Sequence, residues 1–329
     1  MPLDPSFQSF IQSLPKTETH LHIEGALPLE LLQRVRPEFT APPASWAADF
    51  KFRDFAHFEQ ELLDMAFSWY TSPERYHEAA KLIFARHVAQ KVKYVETSFA
   101  SGVIEILGLD GRVVLAAIRA AVPAGLEVRV FLGIHHNGAG PKMKPVLEEA
   151  LGWPDLAGVD LHGTESFPLE PWTADYWEAA RGAGKYTKAH AGEFMGADFV
   201  RRVLDELRPQ RIEHGVRAIE DPGVVAEIVR RGIALDVCPI SNHKLMPGIT
   251  LASHPIHRLF AAGVKVTVST DDPISFGSSL VDEYAELATQ CGFTRNELVQ
   301  VARHGFEVAL ITEAQRTTWL AELDQMIEP

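Results

Sequence analysis

The sequence predicts an α/β protein, a (β/α)₈ TIM barrel with a helical insertion after the first strand, formed by one unit over residues 1–329. Three observations lead there. Eight short apolar runs recur along the chain, at Thr17–Ile23, Val92–Phe99, Leu126–Ile134, Gly158–Leu161, Tyr186–Ala191, Arg211–His214, Ile233–Cys238 and Val264–Ser269. Most are separated by stretches with helix punctuation, and strands alternating with helices call for a parallel sheet. The competing doubly wound sheet would carry G-x-G-x-x-G after its first strand, and none stands there.

The elements can be justified in order. Thr17, Thr19 and Ile23 are β-branched, and Pro15 and Gly25 border the run, which favours a strand. About seventy residues then precede the second strand, where a single helix would suffice. In that stretch Phe55, Phe58, Leu62, Met65 and Trp69 recur at spacings of three and four, the mark of an amphipathic helix. Residues 26–85 therefore read as a helical insertion. It either packs on the core or lids a pocket, since it follows strand one at the face where barrel active sites sit. Ser72-Pro73 opens a helix over Glu74–Gln90, and Asp221-Pro222 opens one over Gly223–Arg231 that Gly232 stops.

Composition excludes several classes of function. Hydrophobic residues make up 46% and charged residues 23%, the balance of a globular chain with a sizeable core. The net charge of −13, from 44 acidic and 31 basic residues, repels phosphate backbones, so nucleic acid is not an expected partner. Cys238 and Cys291 are the only cysteines, which rules out a disulfide framework or a cysteine-rich zinc site. No basic leader and no run of eighteen apolar residues occurs, so neither membrane nor export is expected and the setting reads as cytoplasmic. Nothing in the sequence fixes an oligomeric state.

Chemistry gathers at the strand ends. Strand one carries His20-Leu21-His22, and its period of two puts both imidazoles on one face. The fifth strand ends in His190-Ala191-Gly192-Glu193, the sixth in Glu213-His214-Gly215, and the eighth runs into Ser269-Thr270-Asp271-Asp272-Pro273. In a barrel these ends converge on one mouth. Neutral imidazoles with a carboxylate suit one catalytic zinc with an open position for water, whose pKa then falls to about 7. A histidine outside the ligand set can orient the resulting hydroxide and accept its proton, while a carboxylic acid protonates the electrophile. His214 and Glu193 stand where those two jobs would be done. Plainer readings exist: a structural histidine for His214, a helix N-terminal carboxylate for Glu193, and turn chemistry for Asp271-Asp272-Pro273. For His135-His136, His243, His254 and His257 structural or surface roles are expected.

Taken together, these segments resemble the adenosine/adenine deaminase family of the amidohydrolase superfamily. The matching stretches run from Leu14-Pro15-Lys16 and His20-x-His22-x-Glu24-Gly25 through Gly158-Val159-Asp160-Leu161-His162-Gly163 and His190-Ala191-Gly192-Glu193. They continue with Arg211-Ile212-Glu213-His214-Gly215, Cys238-Pro239-Ile240-Ser241-Asn242 and Ser269-Thr270-Asp271-Asp272-Pro273. The resemblance implies that His20, His22, His190 and Asp271 ligate one zinc ion. It implies that Glu193 donates a proton to purine N1 and that His214 orients the hydroxide attacking C6. Asp272 would meet N7, and the backbone of Gly163 would meet N3. Relatives with two metals carry a lysine at the end of strand four, and this chain has none there, which favours a single ion.

The substrate signals conflict. Adenosine deaminases usually have Asp two residues after the second histidine. Here Glu24 stands, as in adenine deaminases and aminodeoxyfutalosine deaminases. Gly158–Glu165, with Thr164 in place of a usual aspartate, and Ile274–Leu280 with Tyr284 resemble nucleoside deaminases instead. The reading that results is an N9-substituted adenine, adenosine or a modified nucleoside such as aminodeoxyfutalosine, with free adenine as the alternative. A purine-binding protein without catalysis is a remote third.

Overall fold

The computed structural model describes residues 4–327. Eight strands form one sheet in sequence order: β1 (Lys16–Glu18), β2 (Val92–Ala100), β3 (Glu127–His135), β4 (Leu156–His162), β5 (Tyr186–Ala191), β6 (Arg211–His214), β7 (Ala234–Val237) and β8 (Lys265–Val268). Every neighbouring pair is parallel, and helices intervene from β1 onward, so the fold is the expected (β/α)₈ barrel.

The first strand departs from expectation. It ends at Glu18 rather than Ile23 because the chain there turns from backbone to side-chain partners. The amides of Thr19 and His20 both donate to Ser269 Oγ, at 3.0 and 3.1 Å. Isolated bridges, Leu21 to Asp271 and His22 to Ser98, then close the barrel between its first and last strands. The other seven runs lie within two residues of the expected strands. The two helices expected from proline signals are Pro73–Ala89 and Pro222–Arg231. Asp221 caps the second by accepting from Gly223 N, but Ser72 makes no such bond in the first.

The strands are buried on both faces, as a barrel wall requires. The lower interior is charged. Arg211 pairs with Glu96 and lies 3.5 Å from Asp236, and Lys188 Nζ reaches Glu213 at 2.5 Å and Glu96 at 3.5 Å. Such charges persist only where each finds a partner. Glu213 also approaches His190 Nδ1 at 3.0 Å, which ties this layer to the strand ends above it.

Between β1 and β2 lie the helices Leu29–Val35, Phe55–Trp69 and Pro73–Ala89. The last packs on β2, as a barrel crossover helix does. The helix Phe55–Trp69 instead clusters Phe58 with Phe52, Leu245 and Phe276 above the strand ends.

Candidate active site

The carboxyl ends of the strands meet at one pocket of about 700 Å³, including its open mouth. Its floor holds His20, His22, His190 and Asp271, whose ligand atoms all lie within 4.8 Å of one another. Each imidazole turns its Nδ1 to the fold. His20 Nδ1 meets Asp236 O at 3.2 Å, His22 Nδ1 meets Ser98 Oγ at 2.9 Å, and His190 Nδ1 meets Leu161 O at 2.9 Å. The Nε2 atoms are thereby left to face inward. His20 Nε2 is buried without a hydrogen-bond partner, and both His20 and His22 Nε2 lie 3.3 Å from Asp271 Oδ1. Three oriented imidazoles and a carboxylate, with outer partners fixing each ring, make a donor set that fits a divalent metal.

Two residues of the site, one in this set and one beside it, hold unusual backbone. His214 and Asp271 have φ of +61° and +63°, the left-handed region that non-glycine residues rarely enter. Both leave a strand and turn back sharply at the pocket, where such strain concentrates. His214 Nε2 lies 3.5 Å from Glu193 Oε2 and 3.9 Å from Asp271 Oδ2. Burial raises the Glu193 pKa well above its ordinary value, and the charges of Asp271 and Glu165 add to it, a shift that favours the protonated acid. Its Oε1 is buried without a partner. Burial, then the neighbouring Asp271, does the same to Asp272.

Gly163, at φ +85°, brings its backbone to the pocket wall beside His135; a Cβ there would lie 2.6 Å from His135 Nδ1. Glu24 also lines the pocket, and its Oε1 accepts from Tyr76 Oη at 2.7 Å and from Ala100 N at 3.1 Å. Burial raises its pKa from 4.5 to about 7. Protein carrying neutral Glu24 is thus favoured below the unfolded value, and that advantage is lost as pH rises through about 7. Glu24→Gln is expected to remove this loss. By chemical denaturation, the stability gap between variant and parent should move in the variant's favour by roughly 3 kcal/mol from pH 4.5 to 8. A gap that does not change with pH would count against a buried, ionising Glu24.

All nine residues singled out in the sequence thus come together here. Sequence reasoning missed others. His135 was expected to be structural or on the surface, yet it lines the pocket, its ring 4.6 Å from that of His162, which also lines it. Both stand at the ends of their strands, β3 and β4, so the strand-end rule applied to the other histidines would have found them. Burial holds the His135 pKa down to about 4, keeping a neutral ring. Glu165 enters the sequence reading only as the end of the Gly158–Glu165 segment, with no role assigned. It accepts from the amides of Glu193, Phe194 and Met195 at 3.0, 2.9 and 2.6 Å, pinning the loop that carries Glu193. His243 and His257 lie away from the pocket, bonded to Lys51 and Glu297, and His136 is buried against Phe199.

A (β/α)₈ barrel that delivers three imidazoles and a carboxylate to one point, with a buried carboxyl group beside them, is here the frame of a hydrolase acting on carbon–nitrogen bonds. The adenosine deaminase family model matches residues 15–326, and the chain belongs to that family. An adenine deaminase of Rhizobium meliloti (strain 1021) is 34% identical, covering 94% of this chain and 98% of that protein. Another, of Caulobacter vibrioides (strain NA1000 / CB15N), is 31% identical over 96% and 94%. In fold the chain matches the crystal structure of adenine deaminase from Arthrobacter aurescens with a TM-score of 0.84 at 24% identity, covering 95% of this chain and 99% of that one. It matches a zinc-bound amidohydrolase from Burkholderia ambifaria equally well, at 21% identity over 99% and 95%. Among the described residues no helix is long and apolar enough to cross a membrane.

Proposed function

We propose that this protein is a zinc-dependent deaminase of free adenine, taking up water and releasing hypoxanthine and ammonia. The observation that carries the choice of substrate is the upper wall of the pocket. Phe55, Phe58, Leu62, Leu63, Val103 and Leu245 line it, an apolar surface suited to a flat base and poor in partners for sugar hydroxyls. The relatives named above, which are adenine deaminases, support the same reading. A second reading, an N9-substituted adenine such as adenosine or aminodeoxyfutalosine, is favoured by two carboxyl groups in that wall, Glu59 and Glu24. A panel of adenine, adenosine, 5′-modified adenosines and aminodeoxyfutalosine, followed by ammonia release, tests both. Preference for adenine supports the first, preference for a nucleoside the second, and no release from any substrate overturns both.

In this reading His20, His22, His190 and Asp271 hold zinc, which fits a set of three neutral nitrogens and one oxygen. Bound there, zinc supplies water activated at neutral pH. Oxygen adds to C6 while Glu193 gives its proton to N1. The two protons of the added water complete the balance: one replaces the proton Glu193 gave to N1, and the other passes to the amino nitrogen as its bond to C6 breaks, so that nitrogen leaves as ammonia. The protonated Asp272 carboxyl donates to N7, and the Gly163 amide donates to N3. Of the insertion expected over residues 26–85, the part before the crossover helix Pro73–Ala89 covers the base through Phe55, Phe58 and Leu62 and excludes water, within a single domain of 1–329.

Asp272 needs space that only glycine leaves at position 25: a Cβ there would lie 1.6 Å from its Oδ1. Gly25→Ala is therefore expected to displace the N7 donor and lower kcat/KM by about 100-fold, the scale of a misplaced contact. Steady-state kinetics on the variant checks this, and parental kinetics would remove Asp272 from the reaction.

A further inference from the structure

Asn242, on the helix Pro239–Leu245, lies between two imidazoles. Its Nδ2 is 3.1 Å from His214 Nδ1, and its Oδ1 is 3.2 Å from His254 Nε2. All three side chains are buried, so each donor must face an acceptor. Taken alone the chain is ambiguous, because an amide can face either way and a neutral imidazole has two tautomers. One backbone group breaks the ambiguity. The amide of Ile256 donates to His254 Nδ1 at 3.2 Å, and a backbone N–H cannot accept.

The assignment then runs one way. His254 Nδ1 accepts and carries no proton, so its ring proton is on Nε2 and is donated to Asn242 Oδ1. That orients the amide, and Asn242 Nδ2 donates to His214 Nδ1. His214 Nδ1 therefore carries no proton either, and the His214 proton is on Nε2. The far end agrees. His214 Nε2 faces Glu193 Oε2 and Asp271 Oδ2, both oxygens able to accept. Glu193 Oε1, which has no protein partner, is left to carry that residue's proton.

We propose that His254 is a positioning residue which, through Asn242, locks His214 as the Nε2–H tautomer, so that His214 offers a hydrogen-bond donor at the reaction face and is not a proton acceptor. This revises the job expected from sequence, in which His214 accepts the proton of the attacking water. Accepting there would require all three hydrogen bonds to invert, and Ile256 forbids the last inversion. The kinetic part rests on the deaminase reading; the tautomer does not.

The test is long-range proton–nitrogen NMR on the ¹⁵N-histidine, metal-loaded enzyme. In the parent, His214 and His254 should both appear as Nε2–H tautomers. Asn242→Asp places acceptors against both rings and should move the His214 proton to Nδ1, lowering kcat about 100-fold with little change in KM. His254→Leu should give a mixture of His214 tautomers, and His254→Gln, whose amide can still donate to Asn242, should restore the single one. An Nδ1–H His214 in the parent spectrum overturns the proposal whether or not any variant folds. So does an Asn242→Asp enzyme that keeps both the Nε2–H tautomer and its kcat. Expected spectra without turnover on any adenine compound would overturn the deaminase reading and leave the tautomer assignment standing.

Discussion

Glu193→Gln is expected to lower kcat by about 10³-fold while metal content stays at the parental level. The substitution keeps shape and polarity and removes only the transferable proton. Glu193 is buried and is not among the four clustered donors, so metal stoichiometry should not move. The loop beneath it is held by Glu165 through three backbone amides, and those bonds do not involve the substituted group. KM should change little, because the glutamine amide can still donate to N1 in the ground state. The pH dependence follows from the same proton. Burial, with Asp271 and Glu165 nearby, raises the Glu193 pKa well above the usual range. The acid is thus active below that raised value, and kcat should fall as pH rises through it. The variant should lose that alkaline limb along with most of its rate. Turnover within a few-fold of the parent would remove Glu193 as the acid.

How much of this was legible in the sequence differs by kind of contact. The strand ends were legible because apolar runs and the residues after them are local signals. His20-x-His22 was read as one face of a strand, and the two rings do converge on Asp271, but β1 ends at Glu18. The geometry comes instead from side-chain hydroxyls such as Ser269 Oγ and from single bridges. What stayed hidden depends on partners far apart in sequence. Glu165 becomes meaningful only beside residues 193–195, and Asn242 only between His214 and His254. The charged interior is hidden for the same reason: Arg211 reads as one polar residue in a strand until Glu96, 115 residues away, is brought against it. His135 is different, since its position at a strand end was visible and was discounted. The conflict over substrate also turns on contacts. Glu24 was set against the nucleoside-like segments on residue identity alone, whereas the apolar wall supplied by the insertion helix had no single motif to announce it.

Asp271→Asn is expected to empty the metal site and lower kcat/KM by at least about 10³-fold, since the metal is worth several kcal/mol and each 1.4 kcal/mol is tenfold. Asp271 supplies the only carboxylate of the four-residue set, and its Oδ1 faces the Nε2 atoms of His20 and His22. Its Oδ2 is held by Ser241 Oγ at 2.7 Å, so the side chain is already fixed, and asparagine can occupy the same space without the charge. Burial alone would raise the Asp271 pKa. The imidazoles of His20 and His22 outweigh burial and keep the group an anion, the form that offsets a divalent cation. Without that anion a divalent ion would sit among three neutral rings in a buried pocket, with no carboxylate in its own ligand set. The measurement is metal per chain after dialysis, read beside kinetics: near one in the parent and near zero in Asp271→Asn. Acid should produce the same loss in the parent. Although burial lowers the pKa of His190, Asp160 and Glu213 raise it well above the ordinary value, so protons compete with metal for that ring as pH falls. A variant that keeps one metal per chain and parental rates would show that Asp271 is not a ligand. A variant that keeps its metal and loses only its rate would move Asp271 from holding the ion to handling the proton of the attacking water.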